Sequence, residues 1–252
     1  GSSSGRTNIK FPTIGNTCSL PASLSETFNI NIKMKIATWN LERLDKNKNQ
    51  LILDKIAEIN ADIFVLTETN SAIKLDNYTC TSTESLPNEF DQIKYKDGEN
   101  RTSIWTKYKI VERHNTFDNF TTVCSDIETP FGLLRVYGTI IGVFANKQPR
   151  FDNDLKGNIE DFEKLFPGRQ VCIAGDFNVM FSGFAYPSHQ ARQTLNETFE
   201  KHNLTNTTAE QIENVDQIVL STDFLNSRKT VIKSWNDDKK LSDHTGYCLT
   251  IE

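Results

Sequence analysis

The stretch Val171-Cys172-Ile173-Ala174-Gly175-Asp176-Phe177-Asn178 joins a short apolar run to two polar side chains that stand two positions apart. The apolar run predicts a buried strand. If the chain stays extended beyond it, Asp176 and Asn178 face the same side. Asp176 could then orient or deprotonate a water, and Asn178 could donate a hydrogen bond to a phosphate oxygen. Taken alone, the stretch fits better a turn whose side chains bond the local backbone.

Four other short segments follow the same plan, with a carboxylate, amide or imidazole at the end of a strand-like run. They are Thr38-Trp39-Asn40, Leu66-Thr67-Glu68, Val215-Asp216-Gln217-Ile218 and Leu241-Ser242-Asp243-His244. No single segment decides a function. Five of them in one chain, spread from residue 38 to residue 244, predict one phosphodiesterase active site.

The residue types suit phosphodiester hydrolysis. The reaction needs an aligned and deprotonated water, stabilised charge on the phosphoryl oxygens, and a proton or metal at the leaving oxygen. Hard oxygen ligands suit Mg²⁺ or Mn²⁺. Glu68 follows an apolar run in which an unpaired carboxylate would be costly, so it is a candidate ligand. A charged residue at an exposed strand end explains Glu68 equally well.

His244 is the histidine for which the motif residues offer a carboxylate partner. Asp216 could fix its tautomer or stabilise its charge. A capping turn formed by Asp243 and His244 is the alternative interpretation. The remaining histidines are expected to be surface or structural residues; they are His114, His189 and His202.

Together the five segments resemble the motifs of the endonuclease/exonuclease/phosphatase superfamily, which includes deoxyribonuclease I, exonuclease III-like enzymes, neutral sphingomyelinases and inositol-polyphosphate 5-phosphatases. The resemblance covers residues 34–252, and residues 175–178 are its most specific motif. It implies an α/β fold, namely a four-layer α/β sandwich in which two packed mixed β-sheets are flanked by helices.

The resemblance also implies a role for each motif residue. Glu68 would be the principal ligand of Mg²⁺ or Mn²⁺, and Asp216 would orient His244 at the scissile phosphate. The implied catalytic residues are Asp176, Asn178, Asp216 and His244, and the implied metal ligands are Asn40, Glu68 and Asp243.

One position departs from the family pattern. Many members carry a histidine late in a central strand and others have a tyrosine near there, whereas this chain has Ile140. Tyr137 is three residues away, so on a regular strand it faces the other side. Arg150, in the loop expected to follow, is a candidate phosphate contact, although a solvated arginine is the simpler interpretation.

Hydrophobic periodicity predicts the elements around these motifs. Strand-like runs cover residues 34–39, 62–67, 102–107, 109–115, 120–128, 131–141, 171–174, 217–221, 229–235 and 246–251. Helices are predicted over residues 49–60, 158–166 and 190–202, the second of them capped by Asn158. Residues 76–101 are polar and are predicted to form a loop.

A chain of 252 residues suits one large domain or two small ones. Residues 1–5 resemble an expression tag and residues 6–33 are polar and turn-rich, so we predict a tag and extension over 1–33 and one domain over 34–252. The formal charge of −5 argues against a general nucleic-acid coat. This charge does not exclude an enzyme acting on phosphodiesters, because bound cations can reverse the local charge at the site.

The sequence contains no run of about 18 apolar residues, so we predict no membrane span. It also lacks a signal-peptide pattern at its start. The five cysteines have no CxxC pair, and those in strand-like runs are expected to be buried thiols; they are Cys124, Cys172 and Cys248. These features favour a reducing, cytoplasmic location, and no protein partner can be inferred.

The favoured hypothesis is a metal-dependent nuclease that hydrolyses DNA or another nucleic acid by in-line attack of an activated water. One alternative is the same chemistry on a lipid or small phosphoester, because related folds share a core and vary their loops. Another is a catalytically impaired binding module, which the isoleucine at position 140 would suit.

Overall fold

The computed structural model describes residues 1–2, 32–44, 47–90, 92–142 and 148–252. Within this part of the chain, residues Ile32–Glu252 form one compact unit. The extension predicted over residues 6–33 lies, apart from its last two residues, outside the described residues, so its character stays a prediction. No helix of the described part is long and apolar enough to cross a membrane.

The described residues contain fourteen strands and four helices. The strands are β1 Met34–Asn40, β2 Ile63–Asn70, β3 Thr79–Ser82, β4 Glu89–Phe90, β5 Ile93–Lys94, β6 Glu99–Thr106, β7 Lys109–His114, β8 Val123–Thr129, β9 Gly132–Ile140, β10 Val171–Asp176, β11 Leu204–Asn206, β12 Asp216–Ser221, β13 Thr230–Trp235 and β14 Gly246–Ile251. The helices are α1 Asn49–Ile59, α2 Arg150–Leu165, α3 His189–Lys201 and α4 Thr222–Leu225.

Two six-stranded sheets form the centre of the unit. The first has the order β13-β14-β1-β2-β6-β3, and the second has the order β11-β12-β10-β9-β8-β7. Both are mixed, because β1 and β2 are parallel, as are β9 and β10, while the other neighbours are antiparallel. Strands β4 and β5 form a separate two-stranded sheet.

Apolar side chains fill the space between the sheets and cover both outer faces. The inner core includes Ile36, Val65, Val136 and Ala174. On the outside, Ile52 and Ile56 of α1 pack on the first sheet, and apolar residues of α2 and α3 pack on the second. The four layers are therefore helix, sheet, sheet and helices, which confirms the predicted four-layer α/β sandwich.

Strand alternation decides which strand-end side chains reach the space between the sheets. In β10, Cys172 and Ala174 point into the inner core, so Asp176 at the strand end lies on the same face. In β9, Tyr137 packs among the residues on the helix side, and Ile140, three residues later, lies on the inner face. The inner face at the strand ends is thus where the site forms.

The prediction that a helix begins at Asn158 is wrong, because α2 already begins at Arg150. Asn158 lies buried in the middle of the helix, and its Nδ2 donates to the carbonyl of Asp154. The polar residues and Gly157 in the first half hide the helical period. Gly157 is required there because a Cβ would lie 2.3 Å from the ring of Phe117. Tertiary packing therefore outweighs the weak local helix propensity.

The prediction of a loop over residues 76–101 is wrong in part, since β3, β4, β5 and the start of β6 lie within it. Strand β3 has the sequence Thr79-Cys80-Thr81-Ser82 and pairs with β6 at the edge of the first sheet. Its polar residues carry no clear alternation of apolar and polar positions. Pairing with a neighbouring strand, which local sequence does not report, defines it.

Candidate active site

The two sheets are joined at their strand ends by a buried hydrogen bond. Asn40 at the end of β1 donates from Nδ2 to Oδ2 of Asp176 at the end of β10, over 3.0 Å. Both residues are almost fully buried, with 1% and 2% of their surface exposed. A hydrogen bond to a buried carboxylate is among the stronger ones in a protein. It fixes the motif that ends at Asn40 relative to the motif that contains Asp176.

Gly175 shapes the backbone that carries Asp176. Its φ is +136°, and a Cβ at this position would lie 1.9 Å from the carbonyl oxygen of Thr139. Only glycine allows this approach of β10 to β9. The local turn considered from sequence also exists, since Oδ1 of Asp176 accepts the backbone N–H of Asn178 at 2.9 Å. That turn uses one carboxylate oxygen, and the other is bonded by Asn40.

Asp216 and His244 form a hydrogen-bonded pair beside Asp176. Asp216 Oδ2 lies 2.6 Å from His244 Nδ1, and Asp216 is directly opposite Asp176 in the register of β10 and β12. Burial lowers the pKa of His244, but the negative charge and hydrogen bond of Asp216 outweigh it and raise the pKa to about 10. His244 is therefore an imidazolium near neutral pH, and the predicted pairing is confirmed.

Asp176 sits in an environment that disfavours its negative charge. Burial raises the pKa of Asp176, and the charges of Asp216 and Glu68 raise it further, while His244 opposes them. A carboxyl group with a raised pKa is a better proton acceptor when it is ionised. Asn178 completes this side of the site, because its Nδ2 donates to the carbonyl of Ile141 at 3.0 Å and lies 3.4 Å from Asp176 Oδ2.

Glu68 is held in an unusual backbone conformation within β2. Its φ of 49° lies in the left-handed region, which is costly for a residue with a Cβ. Burial raises the pKa of Glu68, the charge of His244 and a hydrogen bond from Asn40 lower it, and Asp243 raises it. The backbone of Glu68 is thus strained, and the positive charge near its carboxylate does not offset the effect of burial.

These residues fit a hard divalent cation. Glu68 and Asp243 line the cavity with carboxylates. The amide oxygen of Asn40 accepts the backbone N–H of Glu42 at 2.9 Å, and its Nδ2 faces Asp176. Asp243 has a 66% exposed side chain and lies 3.7 Å from His244. Oxygen donors of this kind suit Mg²⁺ or Mn²⁺, and a cation would offset the burial of Glu68.

A second cluster of acidic residues lies at the β7 edge of the second sheet. There Glu112 and His114 of β7 approach Asp126 of β8. Asp126 is already bonded there by Arg135, at 2.7 and 2.8 Å. Because the guanidinium neutralises that carboxylate, the cluster is a poor cation site. The contacts of His114 with Asp126 and Arg135 agree with its expected structural role.

The motif residues open into a cavity of about 510 Å³. Glu68, Asp176, Asn178, Asp243 and His244 line it. The lining also includes residues that sequence reasoning did not single out, namely Glu42, Arg43, Tyr95, Glu99, Asn100 and Arg101. Asn100 and Arg101 are buried polar residues near the start of β6, and the predicted start of this strand at residue 102 excluded them.

The position where the family pattern has histidine or tyrosine is occupied as predicted. Ile140 lines the cavity and is paired with Asp176 between β9 and β10. Tyr137 is fully buried on the other face, where its hydroxyl donates to Asp161 at 2.8 Å. Burial raises the pKa of Tyr137 well above its usual value. Its hydroxyl therefore stays out of the site.

The prediction that Arg150 contacts a phosphate is wrong. It begins α2 rather than lying in a free loop, and its side chain is 17% exposed. The guanidinium is bonded to Asp118 at 2.9 Å and to Asp154 at 2.8 Å. The two carboxylates hold it within the protein, where it ties α2 to the loop before β8.

Comparison with known proteins identifies a family and similar folds. The Endonuclease/Exonuclease/phosphatase family model matches residues 37–244. No curated protein matches the sequence. Among solved structures, an AP endonuclease from Leishmania major has a TM-score of 0.66 and 14% identity, covering 89% of each chain.

Two further structures share the fold. The endonuclease domain of TRAS1, a telomere-specific non-LTR retrotransposon, has a TM-score of 0.65 and 15% identity over 88% of this chain and 99% of that one. A 3′ phosphatase from Neisseria, bound to a product DNA hairpin, has a TM-score of 0.62 and 15% identity over 87% and 98%. The family match covers most of the chain and includes all five motifs, and the chain belongs to the Endonuclease/Exonuclease/phosphatase family.

Proposed function

We propose that this chain is a divalent-metal-dependent phosphodiesterase that hydrolyses nucleic acid, in the first place DNA. The observation that carries the proposal is the Asp216–His244 pair beside Asp176, with His244, Asp176 and Asn178 lining one cavity. This arrangement provides a proton acceptor and a fixed positive charge around one position.

Asp176 would orient the attacking water and accept its proton. Its raised pKa suits this task, because a base is most effective when its pKa is close to the working pH. Asn178 would turn the N–H that now lies 3.4 Å from Asp176 Oδ2 toward a phosphoryl oxygen and donate a hydrogen bond to it. The water would attack in line with the leaving oxygen, as displacement at phosphorus requires.

His244 would stabilise the charge that develops on the phosphoryl group. Its Nδ1 is taken by Asp216, which leaves the protonated Nε2 to donate to a phosphoryl oxygen. Glu68, Asn40 and Asp243 would hold the Mg²⁺ or Mn²⁺, which when bound supplies further charge stabilisation. Ile140 has no proton to give, so the leaving oxygen must be protonated by another group or by water.

Nucleic acid is favoured as substrate by the cavity lining. Arg101 brings positive charge, and Tyr95 brings an aromatic ring, beside the candidate metal ligands. Cationic and aromatic side chains together suit phosphates and bases. The similar structures described above include an endonuclease domain, an AP endonuclease and a phosphatase bound to DNA.

Incubation with Mg²⁺ and a panel of DNA, RNA, phosphoinositide and sphingomyelin tests the proposal. We expect hydrolysis of DNA, and a loss of about a hundredfold or more in kcat for His244→Ala. His189→Ala is the matched control, since His189 is an exposed histidine at the start of α3. Full activity in His244→Ala, or in excess chelator, would contradict the mechanism, and hydrolysis of a lipid alone would reassign the substrate.

A further inference from the structure

A second cavity, of about 530 Å³, adjoins the active-site cavity. Glu42, Arg43, Tyr95 and Glu99 line both, so the two spaces are direct neighbours. We call the second one the cationic groove; its other lining residues are Leu44, Lys48, Lys94 and Lys96. It begins where the chain leaves β1, next to the first motif.

The groove has the opposite charge balance to the active-site cavity. Four cationic side chains and two carboxylates line the groove, whereas five carboxylates and three cationic side chains line the cavity. Arg43 and Glu99 neutralise each other at 2.9 Å. Lys48, Lys94 and Lys96 make no ion pair with any residue that the structure describes. Positive charge therefore remains uncompensated beside an acidic site.

The residues that the two spaces share contact one another and their neighbours. Arg43 donates to the carbonyl of Lys94 at 2.7 Å, and its guanidinium lies 4.6 Å from the ring centroid of Tyr95. Glu42, Arg43 and Leu44 have φ values of 49°, 57° and 54°, three consecutive residues in the left-handed region. Such strain is costly for residues with a Cβ and concentrates at functional sites.

Lys48 adds an electrostatic argument. It stands directly before α1, and the first turn of this helix contains no acidic residue. A cation at the positive end of a helix dipole is unfavourable, and an anion there is favourable. An anionic group seated in the groove would relieve this repulsion.

We propose that the cationic groove binds the phosphates that flank the scissile one, so that the substrate is a polynucleotide strand running from the cavity into the groove. The inference rests on the proposed function. A lipid surface fits less well, because Leu44, the aliphatic residue of the lining, is only 2% exposed. A groove with separated ammonium groups suits a chain of phosphates.

The first test measures binding and needs no turnover. Anisotropy of a short labelled single-stranded DNA is followed in excess chelator, for the wild type and for K48Q/K94Q/K96Q. Each phosphate contact contributes about 0.7 to the slope of log affinity against log salt, so the variant should lose about 2 from that slope. Raising salt from about 50 to about 200 mM should then weaken wild-type binding roughly 20-fold more than variant binding.

The matched control is K156Q/K164Q/K201Q, which removes the same charge from α2 and α3. It should keep the wild-type slope. A wild-type slope in the groove variant, or an equal loss in the control, would overturn the proposal. Binding of phosphatidylserine vesicles through the three groove lysines, without binding of DNA, would overturn it too.

Kinetics separate this proposal from the function on which it rests. K48Q/K94Q/K96Q should hydrolyse a small chromogenic phosphodiester like the wild type, while kcat/KM for the oligonucleotide falls and loses its salt dependence. Salt-dependent DNA binding through the lysines without any hydrolysis would support the groove and contradict the nuclease. DNA hydrolysis by the variant with unchanged kcat/KM and salt dependence would support the nuclease and overturn the groove.

Discussion

Replacing Asp216 by Asn should remove most of the positive charge of His244 at neutral pH. The pKa of His244 is raised from 6.5 to about 10 although burial lowers it, and Asp216 is the largest raising influence. The difference corresponds to on the order of 5 kcal/mol between the protonated and neutral forms. Asparagine keeps the shape of the 2.6 Å contact but has no charge, so we expect the pKa to fall to about 6.5 or below.

The pKa can be read from the imidazole C–H resonances in an NMR titration of the metal-free protein. His244→Gln identifies the signal by its absence. Asp223→Asn, an exposed aspartate in α4, is the control and should leave the titration unchanged. A pKa near 10 in Asp216→Asn would refute the assignment of the raised pKa to this carboxylate.

The same change has a signature in stability. Because the folded-state pKa of His244 lies above the unfolded value of 6.5, its stabilisation is fully present below 6.5 and is lost as pH rises through about 10. The free energy of unfolding of the wild type should exceed that of Asp216→Asn most just below pH 6.5, where Asp216 is still ionised, and the difference should shrink toward pH 10. A difference that does not change with pH would contradict the linkage.

Three further changes test the site and its frame. Glu68→Gln should abolish turnover and the rise in melting temperature caused by Mg²⁺. Without metal, the variant should be at least as stable as the wild type, because burial disfavours the Glu68 carboxylate. Calorimetry of both proteins with and without Mg²⁺ checks this. Tyr137→Phe should keep near-normal hydrolysis. Its free energy of unfolding in urea should fall by about 1–3 kcal/mol, since a buried hydrogen bond disappears. A hundredfold fall in kcat would contradict the placement of Tyr137 outside the site. Gly175→Ala should prevent stable folding, because its Cβ would lie 1.9 Å from the Thr139 oxygen; Gly168→Ala, with φ of +70° and open space, should melt cooperatively.

Local sequence predicts the strands and the face on which each side chain lies. The alternation in β10 fixes Asp176 on the inner face, and the same count in β9 separates Ile140 from Tyr137. These inferences succeed because both faces of each central strand are covered, and side chains along a strand alternate with a period of two. The order of the five motifs likewise indicates the fold before any contact is known.

Other features depend on contacts between distant parts of the chain. The first half of α2 contains Gly157, which leaves room for Phe117, and Arg150 at its start bonds Asp118, 32 residues earlier. Strand β3 exists as a partner of β6. In each case the local residues permit several structures, and long-range contacts decide among them.

The sequence by itself determines that a carboxylate and an amide end buried strands, that an imidazole precedes the last strand, and that glycine precedes Asp176. Only the tertiary structure decides that Asn40 bonds Asp176 across 136 residues of sequence, and that lysines from two separate segments line one groove. The physical reason is that hydrophobic periodicity acts between near neighbours in the chain. Hydrogen bonds and charge balance act between neighbours in space, and packing of the two sheets brings those groups together.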